Sequence, residues 1–164
     1  MSFDAQKVVG AVPEGWPEEL NAISHAIIGA AIEVHTHLGP GLREAMYERA
    51  LVLEMRRRGL KVGQQVPFHV IYKGDDLGLQ VVDVVVEAKV IVECKSMATV
   101  TEADKQQLLG YLRFAGVPLG LLTNFNVARL VDGVTRKINW PIVPQSDAVR
   151  IRTNSSSVLS VPTP

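Results

Sequence analysis

Two acidic residues and a lysine lie within two short apolar runs of this chain. Asp83 stands in the run 81–86, and Glu93 and Lys95 stand in the run 90–95, with nine residues between the two acids. Such runs are typical of buried strands. Ionised carboxylates in an apolar interior cost on the order of several kcal/mol unless a partner compensates them. A divalent metal ion is such a partner, so these residues predict a metal site.

The pairing of the two runs decides whether the three side chains meet. Glu93 and Lys95 are two residues apart, so their side chains leave the same face of a strand. In an antiparallel hairpin, a two-residue turn at 88–89 would pair Asp83 with Cys94 and turn Asp83 to the other face. A three-residue loop over 87–89 would pair Asp83 with Glu93. The turn contains no Asn-Gly or Asp-Gly, so we expect the three-residue loop, or a bulge with the same effect.

If the acids converge, their charges predict the chemistry. Two neighbouring carboxylates repel each other, and one stays protonated unless a cation lies between them. Oxygen ligands favour Mg²⁺ or Mn²⁺, whose remaining positions are filled by water and substrate phosphate, as phosphodiester hydrolysis requires. Lys95 would orient the attacking water or stabilise the phosphorane charge. The alternative is a salt bridge of Lys95 with one acid at the sheet margin, and the spacing alone does not separate the two.

Apolar periodicity predicts the elements that carry these residues. Helical spacing from residue 18 or 19 to 38 ends at Gly39-Pro40-Gly41, and a second helix begins just after Gly41 and ends near Arg58, with Gly59 as its cap. A third helix runs from Thr101 to Phe114 and opens with a capping box. Strands are expected at 66–72, 78–86, 90–95 and 119–125. Val127–Val131, Asp132-Gly133 and the run to Trp140 are expected to form a closing hairpin.

The order of these elements predicts a mixed α/β sheet. The helix between the third strand and 119–125 allows those two strands to be parallel, whereas the earlier hairpins are antiparallel. The predicted order is α-α-β-β-β-α-β-β. Residues 1–17 are expected to be a flexible leader, 18–143 a single domain, and 144–164 a mobile tail.

Composition limits the classes of partner. The 17 basic and 17 acidic residues cancel, so no whole-molecule field attracts a polyanion. Arg56, Arg57, Arg58 and Lys61 form the densest basic cluster, which suits either phosphates or the C-terminal dipole of a helix. Cys94 is the only cysteine and is expected to be a buried thiol in a reducing compartment. No apolar run approaches the ~18 residues of a membrane span, so we expect a soluble, cytoplasmic protein without a membrane partner.

Three further motifs carry a family resemblance. Gly41-Leu42-Arg43-Glu44-Ala45-Met46-Tyr47 matches the pattern G-x-x-E-x-x-Y, and it follows Ile28-Gly29-Ala30-Ala31-Ile32-Glu33-Val34-His35 and Leu38-Gly39-Pro40. Gln107-Leu108-Leu109-Gly110-Tyr111 matches Q-x3-Y. Over residues 22–140 the chain closely resembles the GxxExxY protein family of the PD-(D/E)xK nuclease-like superfamily. The resemblance implies a restriction-endonuclease-like core with a mixed central sheet flanked by helices.

The resemblance also implies roles for individual residues. Asp83 and Glu93 would be the metal ligands for Mg²⁺ or Mn²⁺, and Lys95 the catalytic lysine. Glu44 would hold a water molecule beside the metal, with Tyr47 on the same helix face. Gln107 would face the site and position Lys95 or a phosphate, with Tyr111 pointing the same way. A pair of metal ligands at His35 and His37 is not expected, because residues two apart on a helix do not face each other.

The function implied is a metal-dependent nuclease that acts on DNA or RNA, with a homodimer as a further possibility. One position departs from the family pattern: Val81 stands two residues before the strand aspartate, where an arginine is common. If that arginine normally meets phosphate, substrate affinity is reduced in this chain. The alternative function is therefore a catalytically silent nuclease-fold protein that binds nucleic acid or serves as an accessory module.

Overall fold

The computed structural model describes residues 11–142. Residues 1–10 of the predicted leader, residue 143 of the predicted domain and the whole predicted tail 144–164 lie outside the described residues. Within the leader, Trp16 packs against the hydrophobic core and its ring lies edge-on to that of Trp140. Among the described residues, no helix is both long and apolar enough to cross a membrane.

Three α-helices form where the periodicity predicts them. They are α1 (Glu18–Leu38), α2 (Glu44–Arg57) and α3 (Glu102–Ala115). Gly59 follows α2 with a φ of +83°, and the Leu60 N–H donates to the Met55 carbonyl, as in a glycine-terminated helix. Thr101 and Asp104 form the predicted capping box at the start of α3. The helix boundaries predicted from sequence are thus confirmed to within a few residues.

Five strands form one mixed sheet in sequence order. They are β1 (Val62–Tyr72), β2 (Asp75–Val86), β3 (Val90–Lys95), β4 (Leu119–Asn124) and β5 (Val134–Ile138). β3 and β4 are parallel and the other neighbours are antiparallel. The predicted mixed α/β architecture is confirmed. β1 and β2 extend further than expected, because the turn between them needs only Lys73 and Gly74, which both have positive φ.

The sheet separates two apolar clusters. Val90, Val92 and Cys94 point toward α1 and α2, whereas Ile91 packs with Leu108 and Leu112 of α3. Strand alternation then directs Glu93 and Lys95 to the face that α3 covers. Cys94 is fully buried on the other face, as predicted.

The predicted closing hairpin is wrong. Residues 127–131 form no strand, and a 3₁₀ helix (Leu130–Gly133) leads directly into β5. The second half of that prediction, the run to Trp140, does contain a strand, but this strand (β5) pairs with β4 and not with 127–131. Leu130 is buried in the core and the Val127 carbonyl lies 2.9 Å from His35 Nε2. The apolar residues of 127–131 therefore pack against the core from an irregular segment, not from a strand.

Candidate active site

The loop between β2 and β3 sets the register of the two acids. Val86 pairs with Val90 and Val84 with Val92, so the loop is Glu87-Ala88-Lys89. This is the predicted three-residue loop. Glu87 and Ala88 have φ values of +49° and +56°. Turns with positive φ are common in hairpins because their backbone twist matches that of the two strands. One step beyond Val84 and Val92, this register brings Asp83 opposite Glu93.

At that step, carboxylates replace backbone carbonyls as partners between the strands. The Cys94 N–H donates to Asp83 Oδ2 at 2.9 Å, and the Asp83 N–H donates to Glu93 Oε1 at 3.2 Å. Each acid therefore accepts a bond from the strand that carries the other. Both carboxyl groups lie where the β2–β3 ladder ends, and the charge of Asp83 acts on Glu93 there.

Lys95 lies beside these acids at the end of β3. Its Nζ is 4.0 Å from Asp104 Oδ1, and both side chains are partly buried. Asp104 accepts shorter hydrogen bonds from the backbone N–H and the hydroxyl of Thr101 within the capping box. Its interaction with Lys95 is therefore a longer-range attraction between opposite charges. Lys95 thus forms an ion pair, as the salt-bridge alternative predicted, but its partner is Asp104 on α3. The positive charge of Lys95 also opposes the rise in the pKa of Glu44, Asp83 and Glu93.

Glu44 reaches the site from the first turn of α2. The Ser96 backbone N–H lowers the pKa of the Glu44 carboxyl group in part, and the Ser96 hydroxyl donates to the Leu42 carbonyl at 2.7 Å. The hydroxyl contact attaches the segment before α2 to the residue that follows Lys95. Glu44 is exposed, so its carboxylate lies at the solvent side of the acid cluster.

Gln107 lies at the edge of the site. It is exposed on α3, on the helix face that also carries Asp104 and Tyr111. Asp104 reaches Lys95, and the pKa of Tyr111 is raised by burial and then by the charges of Glu93 and Asp83. Gln107 therefore shares a helix face with a residue that reaches Lys95, and its role at the site stays a prediction. Tyr111 also packs edge-on against Phe68 at 5.7 Å.

The acids hold their protons more strongly than usual. Burial, and then the charge of Asp83, raises the pKa of Glu93 from 4.5 to about 8. Burial raises the pKa of Asp83 as well, and this exceeds the opposing effect of the Cys94 hydrogen bond. The pKa of Glu44 is also raised, mainly because neighbouring atoms exclude part of the water around its carboxyl group, although the residue as a whole is exposed. A cation between these groups would favour their ionised forms.

One acid and two amides of this region were missed by sequence reasoning. Glu48 is only 7% exposed, and its carboxylate accepts from Gln64 at 2.8 Å and from Gln65 at 2.9 and 3.0 Å. Its charge also raises the pKa of Asp83. Glu44 and Glu48 are four residues apart on one helix face, a spacing that would have pointed to Glu48. Gln64 and Gln65 have no comparable signal, because their contact with α2 depends on tertiary structure.

Other candidate residues have structural roles. Tyr47 is fully buried, stacks on Phe125 at 4.5 Å, and its hydroxyl donates to the Gly39 carbonyl and accepts from the Leu42 N–H. It therefore fixes the turn before α2, in which Gly41 has a φ of +107°. His37 contacts Glu33, whereas His35 is directed to Val127. The two histidines form no joint site.

The donor set fits a metal ion with few protein ligands. Asp83 and Glu93 offer hard carboxylate oxygens within an acid-rich cluster that contains one lysine. Across residues 11–142, no group of three or more His, Cys, Asp or Glu side chains is arranged to hold a metal ion. Asp83 and Glu93 would thus hold the ion together with oxygen atoms from water or phosphate, as Mg²⁺ commonly binds.

Comparison with known proteins gives one match. A family model described as PD-(D/E)XK nuclease superfamily matches residues 21–137, which include every acidic, lysine and glutamine residue of the site. The search of curated proteins and the search of solved structures gave no match.

Proposed function

The chain belongs to the PD-(D/E)XK nuclease superfamily, and we propose on this basis that it is a metal-dependent nuclease that hydrolyses phosphodiester bonds in DNA or RNA. The observation that carries the proposal is the meeting of Asp83 and Glu93 at the end of the β2–β3 ladder. Glu93 is buried and Asp83 is partly buried, and both have raised pKa values. A divalent cation would offset the negative charge of their ionised forms, which Lys95 alone does not balance.

Asp83 and Glu93 are the proposed ligands for Mg²⁺ or Mn²⁺. When bound, such an ion supplies Lewis-acid activation of the phosphate and of a water nucleophile. Asp83 Oδ2 and Glu93 Oε1 already accept backbone hydrogen bonds, which fix the orientation of both carboxyl groups before a ligand arrives. Such preorganisation lowers the cost of forming the site.

Lys95 is the proposed catalytic lysine. Its ammonium group stabilises the negative charge that develops on the phosphoryl oxygens, or orients the attacking water. Asp104 on α3 limits the motion of the Lys95 side chain. Because the two charged groups are 4.0 Å apart, the Lys95 ammonium group keeps hydrogen-bonding capacity for a substrate. Glu44, at the solvent side, accepts a hydrogen bond from the water. Gln107 contacts a phosphate oxygen or Lys95 from α3.

Cleavage assays with four substrates test this proposal. Single- and double-stranded DNA and RNA are incubated with the purified protein in Mn²⁺ or Mg²⁺. We expect Asp83→Asn and Lys95→Ala each to lower the cleavage rate by about 100-fold or more, the scale of losing a group that stabilises transition-state charge. Lys105→Ala is the matched control, because Lys105 lies on the same helix as Gln107 but pairs with Glu102.

The alternatives give distinct results. Cleavage that persists in both variants would come from a contaminant and would contradict the proposal. Metal binding without cleavage of any of the four substrates would favour a silent accessory protein, which the balanced charge and Val81 at an exposed position of β2 also fit.

A further inference from the structure

Glu48 is a buried acid whose partners are amides. It lies one turn after Glu44 on α2 and is 7% exposed. Its Oε1 accepts from Gln64 Nε2 at 2.8 Å and from Gln65 Nε2 at 3.0 Å, and its Oε2 accepts from Gln65 Nε2 at 2.9 Å. Burial of a carboxylate is costly unless hydrogen bonds compensate it. Both oxygens are used here to hold the amide of Gln65.

Gln65 adopts a backbone conformation that is rare for its residue type. Its φ is +50° within β1, where Gln64 pairs with Val84 and Val66 with Val82. A left-handed conformation costs a non-glycine residue about 1–2 kcal/mol. This register brings Gln65 level with Asp83, so the unusual backbone occurs beside a proposed metal ligand. Such conformations persist when the surrounding structure enforces them, and they cluster at functional sites.

The Gln65 amide connects the buried acid to the proposed ligand. Its Nε2 carries two hydrogens, and it lies 3.5 Å from Asp83 Oδ1, at the outer limit of a hydrogen bond, while it also contacts Glu48. Only the NH₂ end of an amide can face two carboxylates, which fixes the orientation of this side chain. Asp83 Oδ2 is already held by the Cys94 N–H. Both oxygens of Asp83 thus have a partner that limits its rotation.

We propose that Glu48 and Gln65 are a pair of positioning residues, in which Glu48 fixes the Gln65 amide and Gln65 fixes the orientation of Asp83 for divalent metal binding. This inference rests on the proposed function. Groups that orient a metal ligand commonly change metal affinity by 10- to 100-fold. Glu48 itself is not proposed as a ligand, because its oxygens are occupied by the two amides.

Metal titration of matched variants tests the pair. Mn²⁺ binding is measured by calorimetry on the full chain, and the free energy of unfolding without metal is measured by denaturation. Gln65→Gly removes the amide and suits a positive φ. We expect it to weaken Mn²⁺ binding by about tenfold, whereas relief of the positive φ and loss of the Glu48 hydrogen bonds act on stability without metal in opposite directions. Gln64→Ala is the control, since Gln64 also donates to Glu48 but lies beside Gln65 rather than level with Asp83.

A double-mutant cycle separates positioning from a general structural role. If Glu48 acts through Gln65, Glu48→Gln weakens Mn²⁺ binding in the wild-type background but has little further effect in Gln65→Gly. Gln65→Asn keeps an amide and tolerates the left-handed backbone, so it should restore part of the lost affinity.

The failure of this inference differs from the failure of the proposed function. Wild-type Mn²⁺ affinity in Gln65→Gly, or additive effects in the cycle, would overturn the proposed positioning pair. If Asp83→Asn still abolished Mn²⁺ binding in that case, the proposed metal site itself would stand. A wild-type protein that takes up no Mn²⁺ would overturn both.

Discussion

At the scale of single residues, Glu93 makes stability depend on pH. Its pKa is about 8 in the folded protein and 4.5 in its ordinary state. Between these values the folded protein binds more protons than the unfolded chain, so stability falls as pH rises. In EDTA, we therefore expect the free energy of unfolding to decrease from about pH 5 to about pH 8 and then to level off, by on the order of a few kcal/mol.

The variant Glu93→Gln isolates this contribution. Because glutamine does not titrate, its free energy of unfolding should depend less on pH across that window, as measured by urea denaturation at a series of pH values. Glu33→Gln, on the outer face of α1, serves as a control that should keep the wild-type slope. An equally steep slope in Glu93→Gln would show that burial of Glu93 does not control the pH dependence.

Tyr47 gives a second residue-scale prediction. Its hydroxyl bonds both Gly39 and Leu42, while its ring stacks on Phe125. Tyr47→Phe keeps the stack and leaves those two backbone groups without this partner, which we expect to cost about 1–2 kcal/mol of stability in a denaturation experiment. An unchanged stability would mean that the turn before α2 does not depend on the hydroxyl.

At the scale of elements, two glycines distinguish tight packing from open surface. A Cβ on Gly133, at the end of the 3₁₀ helix, would lie 2.2 Å from the Asn124 carbonyl oxygen, whereas a Cβ on Gly110 in α3 would meet nothing within 4 Å. Asn124 also binds the backbone of Met97, just after Lys95. We expect Gly133→Ala to destabilise the protein by about 1–3 kcal/mol and Gly110→Ala to stabilise it by about 0.5–1 kcal/mol.

Thermal denaturation of the two alanine variants measures this difference. Similar melting temperatures for both would contradict the close approach of the 3₁₀ helix to β4.

The sequence patterns predicted the helices and strands more accurately than they predicted the tertiary contacts between them. The loop Glu87-Ala88-Lys89 was predictable because a loop of that length aligns Asp83 with Glu93, and the turn residues typical of the shorter loop are missing. The strand expected at 127–131 does not form, since the apolar pattern does not reveal that Leu130 packs in the core from an irregular segment. Glu48 and Gln65 were missed because their meeting depends on the fold and on a left-handed φ that glutamine rarely adopts.

At the scale of the whole molecule, balanced charge makes nucleic-acid binding depend on the site. The 17 basic and 17 acidic residues provide no general attraction for a polyanion, and without metal the acid cluster repels phosphate. We therefore expect DNA affinity in EDTA to be low, and to rise at least several-fold in Asp83→Asn, as measured by fluorescence anisotropy at fixed salt.

Glu102→Gln provides the control for net charge, because it removes one exposed acid outside the cluster. If this control raises DNA affinity as much as Asp83→Asn does, the effect comes from total charge, and the local repulsion is refuted.

The most direct test of the central claim is calorimetric titration of Mn²⁺ into the wild-type protein, Asp83→Asn and Glu93→Gln at one pH. The predicted result is saturable binding to the wild type that is lost in both variants, with Glu33→Gln binding as the wild type does. The contradicting result is no saturable uptake by the wild-type protein, or uptake that persists when either acid is neutralised.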